Sequence, residues 1–121
     1  MRLLQPLFLL AAPCLVLSQQ TYTLGVGKSD VTGPVVEIGM MGYASPPQKG
    51  SGLRQRIYSR AFIVEDPNTD DTWVYVIADL ACGDTAVRDG VLKKLERRYA
   101  GRYHKGNVAL VGTHSHAGPG K

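Results

Sequence analysis

Blocks of like charge are missing from this chain. Its 14 Lys and Arg are interspersed with 10 Asp and Glu, for a formal charge of +4. A run of five or six like charges, the mark of a nucleic-acid arm, does not occur. The nearest approach, Lys93-Lys94-Leu95-Glu96-Arg97-Arg98, reads as the solvated face of a helix, so nucleic acid is not an expected partner. Cysteine is scarce: Cys14 and Cys82 are the only two. That excludes a disulfide scaffold and a cysteine-ligated zinc finger. There is no Asn-x-Ser/Thr sequon, because Asn68 and Asn107 lack a hydroxyl residue two positions on. Low-complexity tracts and internal repeats are absent too. The 44% hydrophobic and 20% charged content is that of a globular chain rather than a disordered one.

Long apolar runs are also lacking, with one exception at the start. Leu3 to Leu17 is apolar apart from Gln5, Pro6 and Pro13, it follows Arg2, and it ends at the small residues Val16 and Ser18. A spanning helix wants about 20 apolar residues. This run is shorter and carries two prolines, so residues 1–18 are expected to be a secretory signal peptide rather than an anchor, and the protein to be secreted. Cys14 would leave with that segment. Cys82, which follows an apolar run, is expected to be a buried small hydrophobe.

The remainder alternates between clear elements and loops. Thr21 to Val26 reads as a short strand, followed by a Gly-, Pro- and Ser-rich loop from about Gly27 to Gly52. A loop that long is usually functional, and Val35, Val36, Ile38, Met40 and Met41 give it something to bury. Ile57 to Glu65 and Thr72 to Ala78 are strand-like runs joined by a polar turn, which predicts an antiparallel hairpin. From Asp84 to Ala100, Val87, Val91, Leu92, Leu95 and Tyr99 fall on one helical face. Asp84 suits an N-cap, Gly101 suits the C-terminal stop, and the central Gly90 weakens the helix by about 1 kcal/mol relative to Ala. Asn107 to Gly112 is a continuous apolar strand of the buried type. Strand, helix, strand predicts a βαβ unit whose last strand runs parallel to Thr72–Ala78. Ligand sites in such units gather at the carboxyl ends of the strands, here Asp79 to Asp84 and Thr113 to Gly120.

The second of these segments carries His114 and His116 in the run Gly112-Thr-His-Ser-His-Ala-Gly-Pro-Gly120. Residues two apart in an extended chain point to the same side, so both imidazoles can converge on one metal. A catalytic zinc typically takes three protein ligands and keeps one open position. The bland reading is a pair of polar loop histidines. A metallo-β-lactamase pattern would continue to Asp-His, whereas Ala117-Gly118 follows here. A barrel amidohydrolase would carry the motif on its first strand. Asp79, at a strand end, suits either a carboxylate behind a metal-bound His or a cap on the following turn. Arg54, Arg56 and Arg60 are expected on the surface. Gly25-Val26-Gly27-Lys28-Ser29 mimics the end of a phosphate loop. Tyr22 stands where that motif needs Gly, and Val31-Thr32-Gly33-Pro34 cannot start a helix, so no nucleotide is expected.

Four blocks in order, Gly25-Val-Gly-Lys-Ser-Asp-Val-Thr-Gly33, Met40-Met-Gly-Tyr-Ala44, Tyr58-Ser-Arg-Ala-Phe62 and Gly112-Thr-His-Ser-His-Ala-Gly-Pro119, resemble the start of neutral, non-lysosomal ceramidases. The resemblance covers about Tyr22 to Gly120. It implies an α/β fold: a partial catalytic domain, here a β-hairpin plus a βαβ unit, of a two-sheet sandwich flanked by helices. Residues 19–121 would be the truncated N-terminal part of that domain. It also implies hydrolysis of ceramide to sphingosine and a fatty acid, with a membrane surface as the source of substrate. One zinc ion is implied, with His114 as a ligand, His116 facing substrate as a catalytic residue, and the remaining ligands beyond Lys121. The Met40–Tyr43 loop would line the entry for lipid chains or pack against the strand. The competing expectation is a secreted, non-catalytic module binding lipid or a partner on the same scaffold. A zinc hydrolase of another amide or ester is a third.

Overall fold

The computed structural model describes residues 20–118; the expected signal peptide and residues 119–121 lie outside the described residues. Among the described residues, six strands and one helix follow in the order β1 (Thr23–Asp30), β2 (Val36–Gly39), β3 (Lys49–Ser51), β4 (Tyr58–Asp66), β5 (Asp71–Ala78), α1 (Thr85–Tyr99) and β6 (Val108–Gly112). Four strands form one sheet in the order β1-β4-β5-β6, and β2 pairs with β3 in a small second sheet.

The hairpin and the βαβ unit stand as the sequence predicts. β4 and β5 pair antiparallel from Ser59↔Ala78 to Asp66↔Asp71. Their turn is closed by Asp66, whose carbonyl accepts from the Asp70 amide (2.9 Å) and whose carboxylate accepts from the Asn68 amide (2.9 Å). β6 then pairs parallel to β5, from Val74↔Val108 to Ala78↔Gly112. The helix between them starts where Asp84, in extended conformation, accepts from the Val87 amide at 2.9 Å. It ends at Ala100, which is left-handed, and Gly101 is left-handed too. The expected helix is therefore shorter by one residue at each end, because Asp84 and Ala100 are its caps.

Two expectations need correction. The strand read as Thr21 to Val26 runs on to Asp30, because Gly27, Lys28 and Ser29 pair with Ala61, Arg60 and Ser59 of β4. The Gly25–Ser29 stretch is thus ladder-paired strand, and the Lys28 ammonium sits 3.7 Å above the Tyr58 ring. The stretch from Gly27 to Gly52 is not simply a loop either, since it contains β2 and β3. These strands have four and three residues, with a register shift between Val36 and Gly39 and a left-handed Glu37. Pieces this short cannot display a period-two alternation.

Pairing register sorts the side chains of the main sheet into two unlike faces. One face carries Val74 and Val108, exposed by 6% and 4%, the buried hydrophobic residues of the described chain. On α1, Val91, Leu92 and Leu95 are half-buried. The opposite face carries Leu24, Val26, Phe62 and Trp73; Leu24 and Val26 are 72% and 82% exposed, and Trp73 stacks on Tyr75 at 5.6 Å. The chain is a partial α/β domain, with one sheet face shielded and the other bare.

Because the Asp84 carboxylate caps α1, Asp84→Ala should destabilise the chain by about 1 kcal/mol. Urea denaturation followed by circular dichroism should show a lower midpoint at unchanged slope.

Candidate functional site

β5 and β6 end side by side, and the chain beyond each end continues the pairing. The Thr113 amide donates to the Ala78 carbonyl (2.9 Å) and the Ser115 amide to the Leu80 carbonyl (3.2 Å). This close passage depends on Gly112. A Cβ there would stand 2.6 Å from the Leu80 oxygen and 2.8 Å from the Cys82 Cα. The residues just after both strands are therefore held together, where ligand sites form in such sheets.

His114 and His116 meet in this segment, though not in the way that alternation predicts. His114 is left-handed, with φ of 65°, so the run is not extended and the two-residue rule does not apply. The bend itself brings the imidazoles together edge to face, with ring centroids 4.7 Å apart. A left-handed non-glycine residue is uncommon and costs on the order of 1–3 kcal/mol, and such strain clusters at functional sites. His114 is exposed and borders a cavity of about 460 Å³ with Cys82, Gly83, Asp84, Thr85 and Arg88. Ser115, the next residue, borders a different cavity of about 770 Å³, whose walls include Ile38, Met40, Leu53, Ile57 and Arg60.

His116 is half-buried, and its Nδ1 lies against the Met41 carbonyl oxygen. A carbonyl only accepts, so Nδ1 carries the proton. Met41 belongs to a β-turn in which the Tyr43 amide donates to the Met40 carbonyl (3.1 Å). The third residue of the turn, Gly42, has φ of 71°, as a type II turn requires. The Met40–Tyr43 segment thus contacts the second histidine, a role that the sequence alone left between lining an entry and packing on a strand. The only signal for it was a glycine set among large apolar residues.

Imidazole nitrogens are donors that zinc accepts. Among the described residues no third His, Cys, Asp or Glu joins them. Asp79 does not. Its carboxylate accepts from the Arg60 guanidinium (2.8 Å) and from the Tyr58 amide (3.0 Å). Its partners lie at the start of β4, so it stands neither behind His114 nor as a cap on the turn after β5. Arg60 is accordingly half-exposed and paired rather than free on the surface, while Arg56 lies 3.6 Å from Asp30. Cys82 is exposed, not buried as expected. It lies past the end of β5, where the apolar run has left the sheet, with its sulfur 3.9 Å from that of Met41.

Comparison with known proteins gives one consistent result. A family model described as neutral/alkaline non-lysosomal ceramidase, N-terminal, matches residues 22–121. A neutral ceramidase of Drosophila melanogaster is 45% identical over 100 residues, covering 83% of this chain and 14% of its own length. A neutral ceramidase of Pseudomonas aeruginosa is 44% identical over 99 residues, covering 82% of this chain and 15% of its own length. The crystal structure of neutral ceramidase from Pseudomonas aeruginosa superposes with a TM-score of 0.78 at 43% identity, over 85% of this chain and 16% of that one. The chain thus spans about one seventh of the length of these relatives.

The Arg60 guanidinium, and after it the Tyr58 amide, hold the Asp79 carboxyl below the usual aspartate range. A folded-state pKa below the unfolded one gives stability that is full above the unfolded value and is lost as pH falls through the folded value. Acid titration of stability should therefore be shallower in Asp79→Asn than in the unaltered chain across and below the ordinary aspartate range. Equal slopes would show that the pair adds nothing.

Proposed function

The chain belongs to the neutral/alkaline non-lysosomal ceramidase family, and from that premise we propose that it forms the opening part of an amidase that cleaves ceramide to sphingosine and a free fatty acid. The observation that carries this reading is the edge-to-face pair of His114 and His116 at the carboxyl ends of β5 and β6. Residues 1–18 act as a secretory signal, residues 19–121 open the catalytic domain, and the substrate, an uncharged lipid, is taken from a membrane surface.

His114 holds a zinc ion together with ligands from outside this chain. When bound, that ion supplies Lewis acidity toward the amide carbonyl and a nucleophile at neutral pH. The protein residues do the rest. The exposed edge of His114 faces the 460 Å³ cavity. His116 keeps its proton on Nδ1 against the Met41 carbonyl, which leaves Nε2 as the atom that orients the amide and moves a proton at its nitrogen. Such a transfer contributes about 10²- to 10⁴-fold. His114 is a single ligand where a catalytic zinc takes three from protein, so the 121-residue chain by itself binds zinc weakly and hydrolyses nothing.

The test is a chimera in which residues 22–121 replace the matching segment of the Pseudomonas aeruginosa neutral ceramidase. The chimera should cleave ceramide and lose activity to a chelator. His114→Ala should lose both zinc, measured by elemental analysis, and at least about 100-fold in rate. His116→Ala should keep the zinc and lose about 100-fold in kcat. Full activity and full metal content in His114→Ala would refute the assignment.

A further inference from the structure

We propose that Gly42 and the Met41 carbonyl are positioning groups for His116: the turn at residues 40–43 sets the ring, and only glycine at 42 leaves room for it. This rests on the reading of His116 as the side chain that moves a proton at the amide.

Two observations meet here. The first is contact. A Cβ built on Gly42 would stand 2.6 Å from His116 Cε1 and 3.0 Å from Nδ1. Real Cβ atoms do not approach this closely, and the imidazole is a stiff ring. Either the ring or the turn must move. The second is direction. The Met41 carbonyl, one residue earlier, accepts the Nδ1 proton of the same ring. The turn therefore presses on one edge of the imidazole and holds it by one atom. A ring fixed in both ways presents Nε2 in a single direction. Displacement of a catalytic group by about 1 Å can cost about 100-fold in rate.

A second glycine provides the control. Gly101 is left-handed as well, with φ of 83°, but a Cβ there meets nothing within 4 Å. Gly42→Ala and Gly101→Ala thus impose the same kind of backbone penalty, and only the first drives a methyl group into His116.

In the chimera, Gly42→Ala should lower kcat about 100-fold, with KM for ceramide changed little, while Gly101→Ala leaves kcat as it was. Adding Gly42→Ala to His116→Ala should cause no further loss, since residues that act through one another are not additive. Multiplied losses in the double variant, or a Gly42→Ala rate equal to that of Gly101→Ala, overturn the proposal. The unmodified 121-residue chain provides a readout independent of activity. In nitrogen-15 spectra, the slowly exchanging Nδ1 proton of His116, assigned by its loss in His116→Ala, should be present in the parent and in Gly101→Ala and absent in Gly42→Ala. Persistence of that signal in Gly42→Ala overturns the proposal whatever the kinetics. If His116→Ala itself cleaves ceramide at the parent rate, the catalytic reading of the ring is lost, and the spectra alone decide whether the turn positions it.

Discussion

The pairing that continues past the ends of β5 and β6 is the constraint on which the site depends. Two amides, those of Thr113 and Ser115, reach the carbonyls of Ala78 and Leu80. Through them, a segment that has already left the sheet keeps the position the sheet gave it. The lack of a side chain at Gly112 permits the approach. With Thr113 and Ser115 both tied, His114 between them has little freedom left, and its left-handed backbone follows. That single backbone reversal, rather than strand alternation, turns its ring toward His116.

The scaffold behind this site is unevenly supported. Val74 and Val108 face each other across the β5–β6 ladder and are well shielded, so the two strands that carry the site sit over the best-packed part of the molecule. Away from them, β1 depends mainly on its ladder with β4, because its Leu24 and Val26 project into solvent. An apolar sheet face left bare in this way is what a domain covers with a further layer. Its composition is consistent with a chain that spans about one seventh of its relatives.

What the sequence disclosed follows from the range of the forces involved. β4, β5, α1 and β6 were legible because each is long enough to repeat its own pattern and is bounded by capping or turn residues that act locally, such as Asp84 and Asp66. The extension of β1 over Gly27–Ser29 was not, since glycine and lysine have little strand preference and the pairing with Ala61 and Arg60 decides the matter. β2 and β3 were hidden by their shortness. His114 and His116 were legible as a pair, but the geometry that joins them was not, because backbone reversal at a histidine leaves no mark in a pattern. Asp79 was legible as a carboxylate at a strand end. Its commitment to Arg60 was not, since that contact crosses the hairpin.

The contact between His116 and Met41 spans 75 residues of sequence, and this gives the small sheet a purpose. The turn at Met40–Tyr43 leaves directly from the end of β2 and returns to β3 through a second turn, in which the Gln48 amide donates to the Ser45 carbonyl at 2.9 Å and the Gln48 side chain reaches the Tyr43 hydroxyl at 3.3 Å. Left-handed residues bracket this excursion at Glu37 and Ala44, so the path is tightly bent and held by few bonds. A seven-residue sheet adds little to stability, yet it fixes where the Met41 carbonyl points. The histidine motif and the glycine turn are therefore parts of one device. The first brings two imidazoles together, and the second, arriving from a distant part of the chain, holds His116 by its Nδ1.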